Sequence, residues 1–140
     1  MRRSVPCRTR PSLLGPNGTD AAPALADLLV DTDVFVDHLR GARRLTDRDR
    51  LHYSTITRAE LMAGSEAQQD AVRTLLEPLQ EHEVSRAVAE IAGAIRRGAG
   101  VSMPDALIAA TAVRLSLPVM TRNRRHFEPI EGLEVRSPDG

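Results

Sequence analysis

Residues 103–116, MPDALIAATAVRLS, make a helix-length segment that is apolar on nearly every side, and a helix without a polar face has to be buried. It opens with Pro104, suited to a first helical turn. A second apolar run follows it, LPVMTRN (117–123), which reads as a strand leading into a loop. A buried helix beside a buried strand needs other layers to cover both. LLVDT (28–32) reads as a short buried strand, and Val34 to Leu39 as a short helix ending near Gly41. LHYSTI (51–56) is rich enough in β-branched and aromatic residues for a second strand. TRAELMAGS follows as a helix, with Thr57 as N-cap and Glu60 at the capping-box position. Residues 66–79 carry another helical pattern, and EHEVS (81–85) holds a short third strand or an extended link. RAVAEIAGAIRRGAG (86–100) is an amphipathic helix stopped by glycines, and LEV (133–135) is a last edge strand. Strands alternating with helices predict an α/β layered domain with a mainly parallel sheet.

The 140 residues are the length of one domain with a real core. No run approaches the ~18 apolar residues of a membrane span, and the N-terminal twenty residues have no continuous apolar stretch of the kind that directs secretion. Cys7 is the single cysteine, so no internal disulfide is available and the fold does not rely on an oxidising compartment. A cytoplasmic protein is expected. Residues 1–26, rich in Pro, Gly, Arg and Thr, are expected to be a disordered or mis-started extension, and 27–137 the folded domain. The extension has four Arg and one Asp, a net +3, against 15 Arg and 18 acids in the remainder, a net −3. A mildly acidic body speaks against a broad, strongly basic nucleic-acid surface. Only Phe35, Tyr53 and Phe127 are aromatic, too few for base-stacking platforms. All 19 basic residues are arginine, which excludes every mechanism that needs a catalytic lysine.

Ligands of parallel sheets collect outside the carboxyl ends of the strands, and four polar residues fall there. Asp31 ends the first strand, Glu60 lies in the first turn after the second, Asp105 follows Pro104 in the buried helix, and Asn123 follows LPVMT by two residues. Taken singly, Glu60 fits a capping box and Asp105 suits a helix dipole. Asp33 reads as a helix N-cap and Asp37 as a solvated helix residue. A carboxylate ending an apolar strand needs a partner, and Asp31 has no such simple reading. Carboxylates brought together raise one another's pKa, and a divalent cation relieves the repulsion. Oxygen ligands without His or Cys favour Mg²⁺ or Mn²⁺ over Zn²⁺, and the chemistry that follows is metal-assisted phosphodiester hydrolysis.

The segments LLVDTDVFVDHLRG, STITRAELMAGS and MPDALIAATAVRLSLPVMTRNRRHFEPIEGLEV, in that order and spacing, resemble the PIN-domain ribonucleases, specifically the VapC toxins of type II toxin–antitoxin systems. The resemblance runs from about Leu28 to Val135 and implies a three-layer α/β/α domain. It implies that Asp31, Glu60 and Asp105 are the catalytic metal-binding acids, with Asn123 a weak or water-mediated ligand at a position where many relatives carry a fourth acid. Thr32 and Thr121 match small hydroxyl positions lining the site. It further implies Mg²⁺ or Mn²⁺ as cofactor, RNA as substrate, an antitoxin protein as partner and a homodimer. The apolar faces of Val34–Leu39 and Glu60–Gly64 offer the antitoxin groove.

Arg122, Arg124, Arg125 and His126 follow the last site strand, either as a solvated loop with one capping pair or as a phosphate-contacting rim. His38, His52 and His82 lack ligand spacing to one another, which speaks against zinc. A haloacid-dehalogenase-like phosphohydrolase is an alternative, with Asp31 as nucleophile and Asp33 as general acid in the D-x-D of LLVDTDVFV, but that class and the response-regulator receivers require a lysine. A catalytically inactive PIN fold that binds only RNA or a partner is the other.

Overall fold

The computed structural model describes residues 27–46 and 50–138. The N-terminal extension and part of the charged loop RRLTDRDR lie outside them. Five strands form one all-parallel sheet in the order β3-β2-β1-β4-β5. They are β1 (Leu28–Val30), β2 (Leu51–Ser54), β3 (Gln80–His82), β4 (Val119–Met120) and β5 (Val135–Arg136). The helices are α1 (Thr32–Leu39), α2 (Thr55–Met62), α3 (Gln69–Leu76, after a 3-10 turn at Glu66–Gln68), α4 (Arg86–Ala99), α5 (Met103–Leu115) and the single turn α6 (Arg124–Phe127).

Successive strand residues point to opposite faces, so β1 feeds two cores. Val30 packs with Phe35, Leu61, Val72 and Leu76 beneath α1, α2 and α3. Leu29 packs with Ile108, Ala109, Ala112 and Phe127 beneath α5 and α6. The result is the expected three-layer α/β/α arrangement. Each fully buried Leu, Ile or Phe among these contributes roughly 1.5–3 kcal/mol of apolar burial. The missing polar face of α5 is explained by its two neighbours. Ile108, Ala109 and Ala112 meet the sheet, while Ala106 and Ala110 meet Val88 and Ala92 of α4.

Two strand ends differ from the sequence expectation, and both differences bear on function. β1 stops at Val30 because Asp31 leaves the strand to cap α1, accepting from the Thr32 N–H. Asp33 is therefore not the N-cap but lies inside the first turn. β2 stops at Ser54, whose hydroxyl oxygen accepts from the Ile56 N–H and caps α2. Thr57 is consequently not a cap; it is a fully buried helix residue, and Glu60 arrives one turn later than the capping-box reading placed it. α1 closes with Gly41 in the left-handed region (φ 77°), the Gly41 N–H donating to His38 O and the Ala42 N–H to Asp37 O. This is a Schellman close, which glycine permits without strain.

All strands being parallel, their carboxyl ends share one edge. The chain runs outward from β1 to β2 and β3, then returns to place β4 on the other side of β1. The crevice between the ends of β1 and β4 is the topological switch point, where open α/β sheets bind ligands.

Candidate functional site

Asp31 stands at that switch point, 6% exposed, with both carboxylate oxygens occupied. Oδ1 accepts from the Thr32 N–H at 2.8 Å and Oδ2 from the Thr121 hydroxyl, just past β4, at 2.8 Å. Burial pushes the carboxyl up to about 7, with the Asp33 charge and, more weakly, the Asp105 charge adding to it against the two hydrogen bonds. Asp33 is also raised, chiefly by burial. The acids expected to converge are thus close enough to feel one another.

Glu60, exposed on α2, joins through Thr32. The Thr32 hydroxyl donates to Glu60 Oε1 at 2.6 Å, and since that uses its one proton, the Thr57 hydroxyl 2.9 Å away donates to Thr32. Asp105 sits in the first turn of α5, whose N-cap Ser102 accepts from the Asp105 N–H. Its Oδ2 lies 3.3 Å from His126 Nδ1 of α6. Asn123 donates through Nδ2 to Asp33 Oδ2 at 2.8 Å, and its N–H donates to the Thr121 hydroxyl oxygen.

Four residues belong to this cluster that the sequence did not mark. Asp33 is held by Asn123 and, at 3.5 Å, by the Arg122 N–H. Asp37, read as solvated, is buried and paired with Arg122 Nη1 at 2.8 Å. Thr57 backs Thr32, and His126 faces Asp105. The i, i+4 spacing of Asp33 and Asp37 on α1 was the available signal for those two. Of the basic residues, Arg122 is brought to the acids. Arg124 turns to Glu128 Oε2 at 3.0 Å and Val135 O, while Arg125 stays exposed on α6.

The donor set consists of carboxylate, hydroxyl and amide oxygens, the chemistry of a hard divalent cation, and such a cation would stabilise the ionised form that burial disfavours at Asp31. Among the described residues no three His, Cys, Asp or Glu side chains form a closed metal cage. The hydrogen bonds give the reason: Glu60 is turned to Thr32, Asp33 to Asn123 and Asp105 to His126. Loading the site requires these side chains to exchange partners, which exposed Glu60 can do at little cost.

The family model for the PIN domain matches residues 28–132. The chain belongs to the PIN domain family. Ribonuclease VapC19 of Mycobacterium tuberculosis is 31% identical over 120 residues, covering 76% of this chain and 96% of its own. Ribonuclease VapC1 of Methanocaldococcus jannaschii is 32% identical over 117 residues, covering 77% and 85%. Among solved structures, a toxin–antitoxin complex from Klebsiella pneumoniae superposes with a TM-score of 0.66 at 30% identity, covering 76% of this chain and 95% of that one. The PIN match spans both halves of the site, from Asp31 on β1 to Asn123 beyond β4. The three-layer parallel architecture is that of the PIN domain. Among the described residues no helix is long and apolar enough to cross a membrane.

Proposed function

We propose that this PIN domain is a divalent-cation-dependent ribonuclease and the toxin half of a toxin–antitoxin pair, acting in the cytoplasm through residues 27–137. The observation that carries this reading is Asp31, a buried carboxyl raised to about 7 among other acids at the switch point of a parallel sheet. The names of its relatives, ribonucleases and a toxin–antitoxin complex, support the substrate and the partner.

Asp31, Glu60 and Asp105 would hold the cation, with Asn123 as a weak or water-mediated ligand. Mg²⁺ or Mn²⁺ suits these oxygens better than Zn²⁺. Bound there, the cation supplies a water nucleophile at neutral pH and stabilises charge on the attacked phosphodiester. The chain's own residues do the positioning. The Thr121 hydroxyl and the Thr32 N–H fix both oxygens of Asp31, and the Thr32–Thr57 pair steers Glu60. Arg122 and exposed Arg125 meet substrate phosphates, and Arg124 contributes less because Glu128 engages it. The haloacid-dehalogenase alternative is disfavoured by the absence of lysine, and Asp33, its general acid, is engaged by Asn123.

Purified protein should degrade RNA with Mg²⁺ or Mn²⁺ and stop when EDTA is added. Asp31→Asn and Asp105→Asn should each lower the rate at least about 100-fold, the upper end of what loss of a mere supporting group does at metal sites. Cleavage by both variants at the wild-type rate, or full cleavage in EDTA, overturns the nuclease reading. RNA binding without cleavage by the wild type makes the chain a binding module.

A further inference from the structure

We propose that Asp37 is a positioning residue: its buried carboxylate pins the Arg122 guanidinium beside the acidic crevice, leaving the outer N–H donors to grip a phosphate of single-stranded RNA. This rests on the nuclease reading above and deepens it by assigning the residues that hold the substrate backbone.

Asp37 is 9% exposed on α1, and Arg122 Nη1 reaches it across 85 positions of sequence at 2.8 Å. The Arg122 side chain remains 51% exposed. A guanidinium carries five N–H donors, and the carboxylate takes one of them in this contact. The pair is therefore anchored at one end and open at the other, unlike a structural ion pair closed on itself. Burying a carboxylate in order to pair it with a half-exposed cation is a poor stability device, because desolvation offsets the attraction. It is a good way to present a planar donor fork in one orientation, the geometry that phosphate recognition uses.

The placement fits the substrate. Arg122 directly follows Thr121, which donates to Asp31, and its own N–H faces Asp33. Asp33 and Asp37 lie one helical turn apart on α1, so one face of that helix fastens the whole 121–123 loop. A crevice lined by Asp31, Asp33 and Asp105 repels RNA phosphates. A fixed cation at its rim offsets that repulsion and sets the register of the backbone over the acids.

The test measures binding of a fluorescein-labelled mixed-sequence 20-nucleotide RNA to the full chain in EDTA, where cleavage is blocked, over a series of salt concentrations. Arg122→Gln, a surface change that leaves the fold intact, should weaken binding about 5- to 10-fold. It should also reduce the slope of log Kd against log salt by about 0.7, one single-strand phosphate contact. Asp37→Asn should weaken binding several-fold although it removes a negative charge. The double variant should be no weaker than Arg122→Gln alone, and in Mg²⁺ both single variants should raise KM more than they lower kcat. Simple loss of a repulsive charge predicts tighter binding by Asp37→Asn, and that result, or an unchanged salt slope in Arg122→Gln, overturns the inference. If the wild type neither binds nor cleaves RNA, the nuclease reading fails first. If it does both and Asp37→Asn matches it, this inference alone fails.

Discussion

Holding the Asp31 carboxyl at about 7 makes the metal-free protein less stable wherever the medium ionises that group. The folded value lies above the ordinary 3.8, so the fold favours the neutral form. The contribution to stability is fully present below about pH 4 and is lost as pH rises through 7, a swing of up to about 4 kcal/mol. Asp33, raised in the same direction, adds to the trend. In EDTA, Asp31→Asn should therefore melt above the wild type at pH 8, with the gap closing at pH 4.5. Mg²⁺ should raise the wild-type midpoint at pH 8 and leave the variant's unchanged. An unaltered melting difference between the two pH values would show that the carboxyl is not held neutral. At this scale the sequence was informative wherever one local pattern sufficed: an acid ending an apolar strand marked Asp31. Asp33 and Asp37 were misjudged because the groups that engage them, Asn123 and Arg122, lie 85 to 90 positions away. No local periodicity encodes such partners.

The edge strand β3 has only three residues, none fully buried, and it is fastened to β2 partly by side chains. His52 Nδ1 and His82 Nε2 are 2.8 Å apart with rings inclined by only 10°, and His52 Nε2 lies 3.3 Å from Asp27 Oδ2. Centroids 5.0 Å apart with that N···N distance mean edge-to-edge, nearly coplanar rings joined by one N–H···N bond. The bond survives one proton on the pair but not two. Burial, then the neighbouring His52, lowers His82 below its usual 6.5. The stabilisation is therefore complete above pH 6.5 and is lost as pH falls through the lowered value, opposite in sign to Asp31. Amide protection factors of Gln80–His82 should drop between pH 7.5 and 5 while those of β1 hold. A His82→Gln variant should show a smaller drop. Helices were the legible elements in the sequence, since α4 and α5 span many residues and end at clear signals. The strands, two to four residues long, were misplaced by one or two because Asp31 and Ser54 abandon the sheet to cap helices. That the His52 and His82 rings meet follows from the β2–β3 register, which spacing along the chain does not reveal.

Across the whole molecule, a sheet with an acidic crevice at one edge and helices on both faces serves two surfaces: one for substrate, the others for partners. The apolar groove between α4, α5 and the loop at Pro129–Glu131, about 390 Å³ and lined by Ile91, Ile95, Val113 and Ile130, lies away from the crevice. Co-expressed with the short reading frame directly upstream of its own, the 15.3 kDa chain should purify as a larger complex and lose its toxicity. Elution near 15 kDa in both the presence and the absence of that frame would count against antitoxin and dimer alike. The architecture was readable in advance because alternating strands and helices admit few arrangements. The strand order, and with it the crevice between β1 and β4, was not, since it depends on which strand returns beside the first.

That return has a consequence for how a cell survives making such a protein. Asp31, Glu60 and Asp105 have all left the ribosome before the loop 121–123 is translated, yet nothing steadies them until β4 slots in next to β1. A message cut short, or a ribosome stalled, anywhere upstream of Val119 releases an inert fragment. Lethality is thus reserved for nearly finished copies.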